Sequence, residues 1–367
     1  MKRLRFLMLG GFLGAGKTTT LARLARHYTG RGQRVALVTN DQAQNLVDTG
    51  NLRAQGFSVE EVAGACFCCR FNELVDKVQD LAAAELPALV LAEPVGSCTD
   101  LVATVIQPLK ALYGRQFQVA PYAVLFKPSH GLRILRDEPS AGFSPKAAYI
   151  FKKQLDEADA IVVNRIDELA PAQLDDLVSL VGSRYPSTPL VRMSARTGQG
   201  LAQLVEFLEL EGSFGNKILD IDYDVYAEGE AELGWLNTSL RIEAQKPFAL
   251  DELLLAVLQR LRGSLAAADG EVAHLKLIGL GDTSFGVANL VSTLSEPELS
   301  VASQARLQAA DLVVNARVAI DPALLEQQVR QAVEATCSVY QAAARFGETQ
   351  SLRPGRPVPT HRYATAQ

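Results

Sequence analysis

An α/β fold with a mostly parallel sheet, followed by a smaller α+β unit, is predicted by three features of the sequence. Short apolar runs alternate with amphipathic segments up to about residue 210. The first run, "LRFLML", opens straight into a glycine-rich stretch and then into "LARLARHY", which has helical spacing. The alternation stops at "EGSFGNKILDIDYD", where glycines and acids interrupt it. A strand–helix rhythm of this kind builds βαβ units, whose parallel sheet is covered by helices on both faces. A 48% hydrophobic content over 367 residues is enough to bury such a core.

Seven strands are expected in the first part, over residues 5–9, 34–39, 57–61, 88–92, 122–126, 160–163 and 190–193. Helical segments such as "FNELVDKVQDLAAAE" and "GLAQLVEFLELEG" lie between most of them. The basic, apolar start "MKRLRFLML" reads as a buried strand and not a secretory leader, because the apolar run is brief and a lysine follows at Lys17. Beyond the break the order is strand (235–242), helix (250–262), strands (272–278, 285–290 and 312–318) and helix (322–335). This suggests a four-stranded sheet with helices on one face. Residues 1–212 are therefore assigned to the first domain, 213–345 to the second, and 346–367, rich in proline and arginine, to an extended tail.

Charge and cysteine usage set the surroundings. The net charge of −5 offers no basic excess for nucleic acid or anionic lipid. No segment has the length and apolarity of a membrane span. Five cysteines, three of them within four residues, do not form a secreted disulfide framework, so a reducing cytoplasm is expected.

The glycine-rich stretch carries the strongest chemical signal. Gly11-x-x-x-x-Gly16-Lys17-Thr18, set between a buried strand and a helix, is a P-loop, and makes the first domain a P-loop NTPase domain. Gly11, Gly14, Ala15 and Gly16 let backbone N–H groups curl around phosphate, and the helix opening at Lys17, Thr18 and Thr19 adds its positive end. Lys17 is expected on the β- and γ-phosphates, and the Thr18 hydroxyl on Mg²⁺. Downstream, "NRID" (Asn164, Arg165, Ile166, Asp167) resembles the NKxD signature of GTPases, in which the aspartate accepts from the guanine N1–H and amino group. Adenine has no such donor pair. Arg165 stands where that signature has lysine, and can stack on a purine in its place. The stretch "MSARTGQGL", with Ser194 and Ala195, resembles the loop that closes over guanine.

Cys66-Phe67-Cys68-Cys69 follows a predicted strand. Thiolates bind soft or borderline ions such as Zn²⁺, and Co²⁺ occupies similar sites. The spacing is not that of a zinc ribbon, and small buried hydrophobes account for it equally well. Glu93, ending another buried strand, reads as a switch residue near Mg²⁺ and the γ-phosphate. The alternative is an exposed acid at a strand end. Cys98 reads as a packed thiol, with an approach to the cysteine cluster as the alternative, since ligands gather at the carboxyl edge of open α/β sheets.

Taken together, "GGFLGAGKTT", "ACFCC", "EPVG" (Glu93 to Gly96) and "NRID" resemble the motif set of the CobW-like GTPases, relatives of the nickel-handling proteins of urease and hydrogenase maturation. The resemblance covers residues 1 to about 210, while the C-terminal unit matches only in size and pattern. It implies GTP/GDP and Mg²⁺ as cofactors, with Lys17, Thr18 and Glu93 in catalysis and Thr18, Asp48 and Glu93 around Mg²⁺. It further implies Zn²⁺ or Co²⁺ on Cys66, Cys68 and Cys69, and a client metalloprotein or cofactor-assembly enzyme as partner, with a homodimer as an option. Three departures stand out: Ala65 for glycine, "DQA" (residues 41–43) in the switch stretch that retains Asn40 and Asp48, and Lys127 for aspartate. With four scattered histidines (His27, His130, His274, His361), a histidine-rich storage segment is excluded. Two other readings stay open: a regulatory GTPase that carries no ion, and a P-loop small-molecule kinase.

Overall fold

The computed structural model describes residues 3–41, 52–53, 55–63, 66–137 and 145–367. Among them the chain forms two compact units. The first takes in Gln55–Tyr226 and Arg356–Gln367 together with the strand and helix that precede them; the second is built on Ala227–Gly355.

The first unit is α/β. Strands β1 (Leu4–Gly11), β2 (Val35–Asp41), β3 (Val59–Ala63), β4 (Leu89–Glu93), β5 (Phe117–Val119), β6 (Ala123–Phe126), β7 (Ala160–Val163) and β8 (Leu190–Arg192) make one eight-stranded sheet among the described residues. Their order is β3-β2-β4-β1-β6-β7-β8, with β5 also paired to β1, and every pairing is parallel. The seven expected strands are present; β5 is additional, and its three residues are too few to show a period. Phe6, Leu7 and Leu9 of β1 are fully buried, as are Val90, Leu91 and Ala92 of β4. A strand covered on both faces loses the apolar–polar alternation of a half-exposed one, which is why these segments read as continuous apolar runs.

Parallel pairing sends the loops after β1, β2, β3, β4 and β7 to one edge. Helix Lys17–Gly30 follows β1 and helix Phe71–Glu85 follows the cysteine segment after β3. A π-helical turn at Val102–Ile106 leads into helix Gln107–Tyr113 beyond β4. Residues 213–226, expected to open the second domain, pack within the first unit: Gly215 N–H donates to Asp159 Oδ2 at 2.8 Å and its carbonyl accepts from the buried Gln107 amide.

The second unit is an antiparallel sheet of six strands among the described residues, not four. They are β9 (Gly234–Ala249), β10 (Glu271–Leu280), β11 (Phe285–Leu290), β12 (Glu298–Val301), β13 (Arg306–Ala319) and β14 (Ala342–Leu352), in the order β12-β11-β10-β13-β9-β14. The two extra strands are the edges, where β12 is short and β14 is polar, so neither carries an apolar run. Helices Leu250–Ala267 and Pro322–Val339 supply Leu254, Leu258, Leu261, Val329 and Val333 to a core shared with Leu275, Leu312 and Val314 of the sheet. Each fully buried leucine contributes about 1.5–3 kcal/mol. The expected extended tail divides: 346–352 complete β14, and Arg356–Gln367 belongs to the first unit. No helix among the described residues is long and apolar enough to cross a membrane.

Glu157, just past helix Pro145–Asp156, is fully buried beneath the segment that follows β4. Its carboxylate accepts from Val102 N–H at 2.9 Å and from Thr99 Oγ1 at 3.4 Å. Burial pushes its pKa well above the ordinary carboxylate value, the nearby Asp100 charge adds to this, and those bonds offset only part of it. The native state therefore holds this proton more tightly than the unfolded chain. The group's stabilising contribution is complete below the unfolded value of 4.5 and is lost as pH rises through the raised native one. Glu157→Gln keeps the neutral shape, and its NH₂ can face the Thr99 hydroxyl. Thermal melts from pH 4.5 to 8 should show the variant gaining stability over the unmodified chain as pH rises; a constant difference across that range would contradict it.

Candidate functional site

The P-loop forms as the sequence requires. Gly16, immediately before helix Lys17–Gly30, has φ +87°, and a Cβ there would lie 2.4 Å from Asn164 Nδ2. Only glycine meets both conditions. The helix has no acid in its first turn, so its positive end is left to an anion. Lys17, 7% exposed, donates from Nζ to the Gly11 carbonyl at 2.9 Å, which holds the ammonium along the loop. Gly14 is left-handed with φ +72°, Ala15 N–H donates to the Phe12 carbonyl, and Thr19 lies on the exposed side of the first helical turn. A glycine-shaped cradle, a buried lysine and an open helix start fit a nucleotide's phosphates.

Asn164 ties the base-side loops to this cradle. Its Nδ2 donates to the Ala15 carbonyl at 2.7 Å and its Oδ1 accepts from Ala195 N–H at 2.9 Å. One buried amide thus joins the P-loop, the "NRID" turn and the "SAR" loop. Arg23, on the P-loop helix, donates to the carbonyls of Ala195 and Arg196 and holds the same loop from the other side. Asp167 is gripped by the Arg196 guanidinium and the Ser194 hydroxyl. Burial works against its charge, but these two partners outweigh that and hold its pKa below the ordinary value. The carboxylate is therefore an ionised acceptor, the state needed to receive two N–H donors from a guanine edge. Arg165 adopts φ +61° and pairs with Glu168.

Thr18 and Glu93 meet directly. The Thr18 hydroxyl donates to Glu93 Oε1 at 3.0 Å, with both side chains buried, so the expected Mg²⁺ ligand and the expected switch acid form one unit at the ends of β1 and β4. Glu93 is 6% exposed, which removes the alternative of an exposed strand-end acid. Asp48 lies outside the described residues, as does Ala65.

The cysteine segment is a tight turn. Cys69 and Arg70 N–H groups both donate to the Cys66 carbonyl at 3.0 Å, folding three thiols together. Sγ of Cys66 is 2.8 Å from that of Cys68 and 3.1 Å from that of Cys69, and Cys68 and Cys69 are 3.8 Å apart. All three ligand atoms lie within 4.8 Å of one another, and none forms a disulfide. A tetrahedral ion with bonds of about 2.3 Å to sulfur has S···S edges of about 3.8 Å, so one edge already matches and the other two need to open by about 1 Å and about 0.7 Å. Hydrogen bonds from Cys68, Cys69 and Cys98 push the Cys66 thiol well below its ordinary value, outweighing burial. Donating to Cys66 raises Cys69 to about 11. Cys66 is thus the thiol prepared to ionise first, and thiolate is the form that binds metal.

Two contributors to this site, Asn40 and residues 358–363, were not identified as such from sequence. Asn40, at the end of β2, donates to the Val62 carbonyl at 2.8 Å and accepts from Phe67 N–H at 2.7 Å, fixing the cysteine turn against the sheet. Residues 358–363 run across the turn: Thr360 N–H donates to the Cys68 carbonyl at 2.8 Å, Thr360 Oγ1 to the Cys69 carbonyl at 3.0 Å, and Val358 N–H to the Cys69 thiol. His361 packs edge-on against Phe71 at 5.2 Å. The tail arginines are likewise occupied within the chain, Arg362 by the buried Asp100 at 2.7 Å and Arg356 by Asp224 at 2.9 Å. Proline-rich composition reads as a solvated tail, and only the bonds made by this segment's backbone distinguish a docked one.

Asn164→Ala strands a buried carbonyl and a buried N–H at once. At about 1–3 kcal/mol for each unsatisfied group, the variant should lose about 2–6 kcal/mol in nucleotide-free urea unfolding. A loss under about 0.5 kcal/mol would mean that the three loops are held by other contacts.

The nucleotide-binding domain of the CobW/HypB/UreG family matches residues 5–191 of the 367. The chain is 30% identical over 172 residues to the zinc chaperone YeiR of Escherichia coli, covering 45% of this chain and 47% of that protein. It is 26% identical over 227 residues to the zinc chaperone CobW of Pseudomonas aeruginosa, covering 53% and 58%. It therefore spans about half the length of these curated relatives. Among solved structures, the Zn(II)-bound YjiA GTPase of E. coli aligns at 15% identity over 92% of this chain and 99% of that one, with a TM-score of 0.37. With its P-loop, "NRID" turn and thiol turn on one sheet edge, the chain belongs to the CobW/HypB/UreG family of nucleotide-binding proteins.

Proposed function

We propose that the protein is a GTPase whose nucleotide state controls delivery of a thiophilic metal ion, zinc or cobalt, to a client metalloprotein or cofactor-assembly enzyme. The observation that carries this reading is the convergence of three thiols on the sheet edge where Thr18 bonds to Glu93. The zinc-chaperone names of the relatives agree with it.

Each residue has a chemical task in this reading. Lys17 leaves the Gly11 carbonyl for the β/γ-phosphate oxygens and balances their charge. The Thr18 hydroxyl, now bonded to Glu93, would hold Mg²⁺, with Asp48 as a further candidate around the ion. Mg²⁺ supplies charge neutralisation on the phosphates. Glu93, released by Thr18, reports the presence of the γ-phosphate. Asp167 leaves Arg196 to accept from guanine, with Arg165 stacking on the base and Ser194 and Ala195 closing the pocket. The sequence offers no evident base for the attacking water, and this reading therefore includes a slow intrinsic turnover that a client or a second copy accelerates. The net charge of −5 argues against nucleic acid as the partner.

Calorimetry should find GTP and GDP binding far more tightly than ATP. Asp167→Asn should lose guanine affinity and gain xanthine nucleotide affinity, since its amide can donate to a 2-oxo group. Equal ATP and GTP affinity would overturn the base assignment. Lys17→Ala and Thr18→Ala should each cut single-turnover hydrolysis by at least about 100-fold, on the scale of lost electrostatic groups in transfer sites; full turnover in both would remove the P-loop from the chemistry.

Zn²⁺ affinity should differ by about 5- to 150-fold between the states bound to a non-hydrolysable GTP analogue and to GDP, and Zn²⁺ should shift GTP affinity by the same factor. Competition titrations on the full chain and on a Cys66→Ser/Cys68→Ser variant decide this. Metal affinity that is indifferent to nucleotide, or that survives the double substitution, would favour a regulatory GTPase that carries no ion.

A further inference from the structure

Residues 356–367 belong to the first unit and lie on the thiol turn itself. Thr360 donates twice to the turn, from its N–H to the Cys68 carbonyl at 2.8 Å and from its hydroxyl to the Cys69 carbonyl at 3.0 Å. Three residues on, Tyr363 N–H donates to the Ala103 carbonyl at 3.0 Å. Between them Arg362 pairs with Asp100 at 2.7 Å and donates to the Leu219 carbonyl at 2.8 Å. Asp100 is 1% exposed and also accepts from the Tyr223 hydroxyl at 2.8 Å. A carboxylate buried that deeply is costly without a paired charge, so it holds the Arg362 guanidinium as a latch. The remainder of the segment is lightly anchored. From Val358 to Gln367 no residue is buried, and Val358 is 73% exposed. In the turn to which it bonds, by contrast, Cys66 and Cys68 are 3% and 2% exposed.

We propose that residues 358–363 are a displaceable strap that keeps the thiol turn closed, so that ions and clients reach the sulfurs when it lifts. The inference rests on the metal-handling reading above and adds control of access to it. An ion or an incoming ligand has to touch sulfur, and thiols 2–3% exposed offer it no approach. Two neighbours of the turn are fixed: Asn40 ties it to the sheet, and helix Phe71–Glu85 continues from it. The strap is a neighbour of another kind, held by a few hydrogen bonds and one ion pair with no buried side chain. Segments with so few buried contacts open at a small fraction of the free energy of global unfolding. Lifting it leaves the Cys68 and Cys69 carbonyls without their donors. A client segment that brings an N–H and a hydroxyl or second N–H to those carbonyls takes the strap's place and satisfies them again. The site is therefore closed while the chain is alone and opens by exchange of one extended segment for another.

The test uses the full reduced chain without added metal, with iodoacetamide as the probe and peptide mass mapping to assign each thiol. Hydrogen exchange should find the Thr360 and Tyr363 amides protected in the unmodified chain; exchange at the rate of a free peptide would overturn the docking. Thr360→Pro removes the N–H and the hydroxyl together, in a segment that already carries Pro357 and Pro359. Arg362→Ala opens the latch, and Arg362→Lys keeps its charge. Alkylation of Cys66, Cys68 and Cys69 should quicken about 5- to 150-fold in Thr360→Pro, the opening expected from two lost hydrogen bonds. It should quicken in Arg362→Ala as well and be partly restored in Arg362→Lys. Cys337, in the core of the second unit, is the internal control for unfolding, and its rate should not move. Thiol-turn rates unchanged in both Thr360→Pro and Arg362→Ala, or a Cys337 rate rising in step with them, would overturn the strap. Zn²⁺ transfer from the loaded chain to a chelating dye should quicken in the same variants. If the chain takes up no Zn²⁺, the metal-handling reading falls, while the alkylation rates still decide whether this segment closes the turn.

Discussion

The parallel register of the first sheet is the constraint on which every functional contact depends. Because β2, β3, β4, β1 and β7 all point the same way, the loops that follow them leave from a single edge. The side chains at these loops are distant in sequence, yet they bond one another there. The glycine-rich loop, the "NRID" turn and the thiol turn all leave from that edge under this topology. The burial of β1 and β4 on both faces gives that edge a rigid base.

On that base, the loops are tied by single polar side chains. Asn164 closes the nucleotide half by bonding one carbonyl and one N–H from two other loops. Asn40 does the same for the thiol half, with the carbonyl of Val62 and the N–H of Phe67. A buried primary amide suits this work because it donates and accepts at once, and it satisfies loop backbone groups that no ladder reaches. Between the halves stands the Thr18–Glu93 bond, a hydroxyl and a carboxylate that both have metal chemistry open to them. A link made of groups with alternative partners can switch, whereas the bonds that Asn40 and Asn164 make to the loop backbones are fixed points.

The thiol turn has a different physical character. Packing three sulfurs this closely in a buried place favours one ionised member, since its neighbours donate to it, and disfavours a second. A divalent ion removes that conflict by replacing the shared protons. Residues 358–363 cover the turn through bonds from the Thr360 N–H and hydroxyl to the carbonyls of Cys68 and Cys69, so the thiols are held from both sides, by the sheet and by a segment nearly three hundred residues away in sequence.

What the sequence determines by itself are the features whose physics is local. The P-loop is legible because glycine spacing, lysine and threonine between strand and helix form one contiguous pattern. The buried strands are legible because both faces are covered, and Asp167 because its turn is short and of fixed composition. Tertiary structure decided whatever depends on pairing between distant segments. Strands β5, β12 and β14 have no apolar signature and exist through their partners. The bond between Glu93 and Thr18 exists because β4 lies beside β1. The arginines of the last segment meet Asp100 and Asp224 because of the way the chain returns to one edge, a long-range pairing that leaves no mark in composition or period.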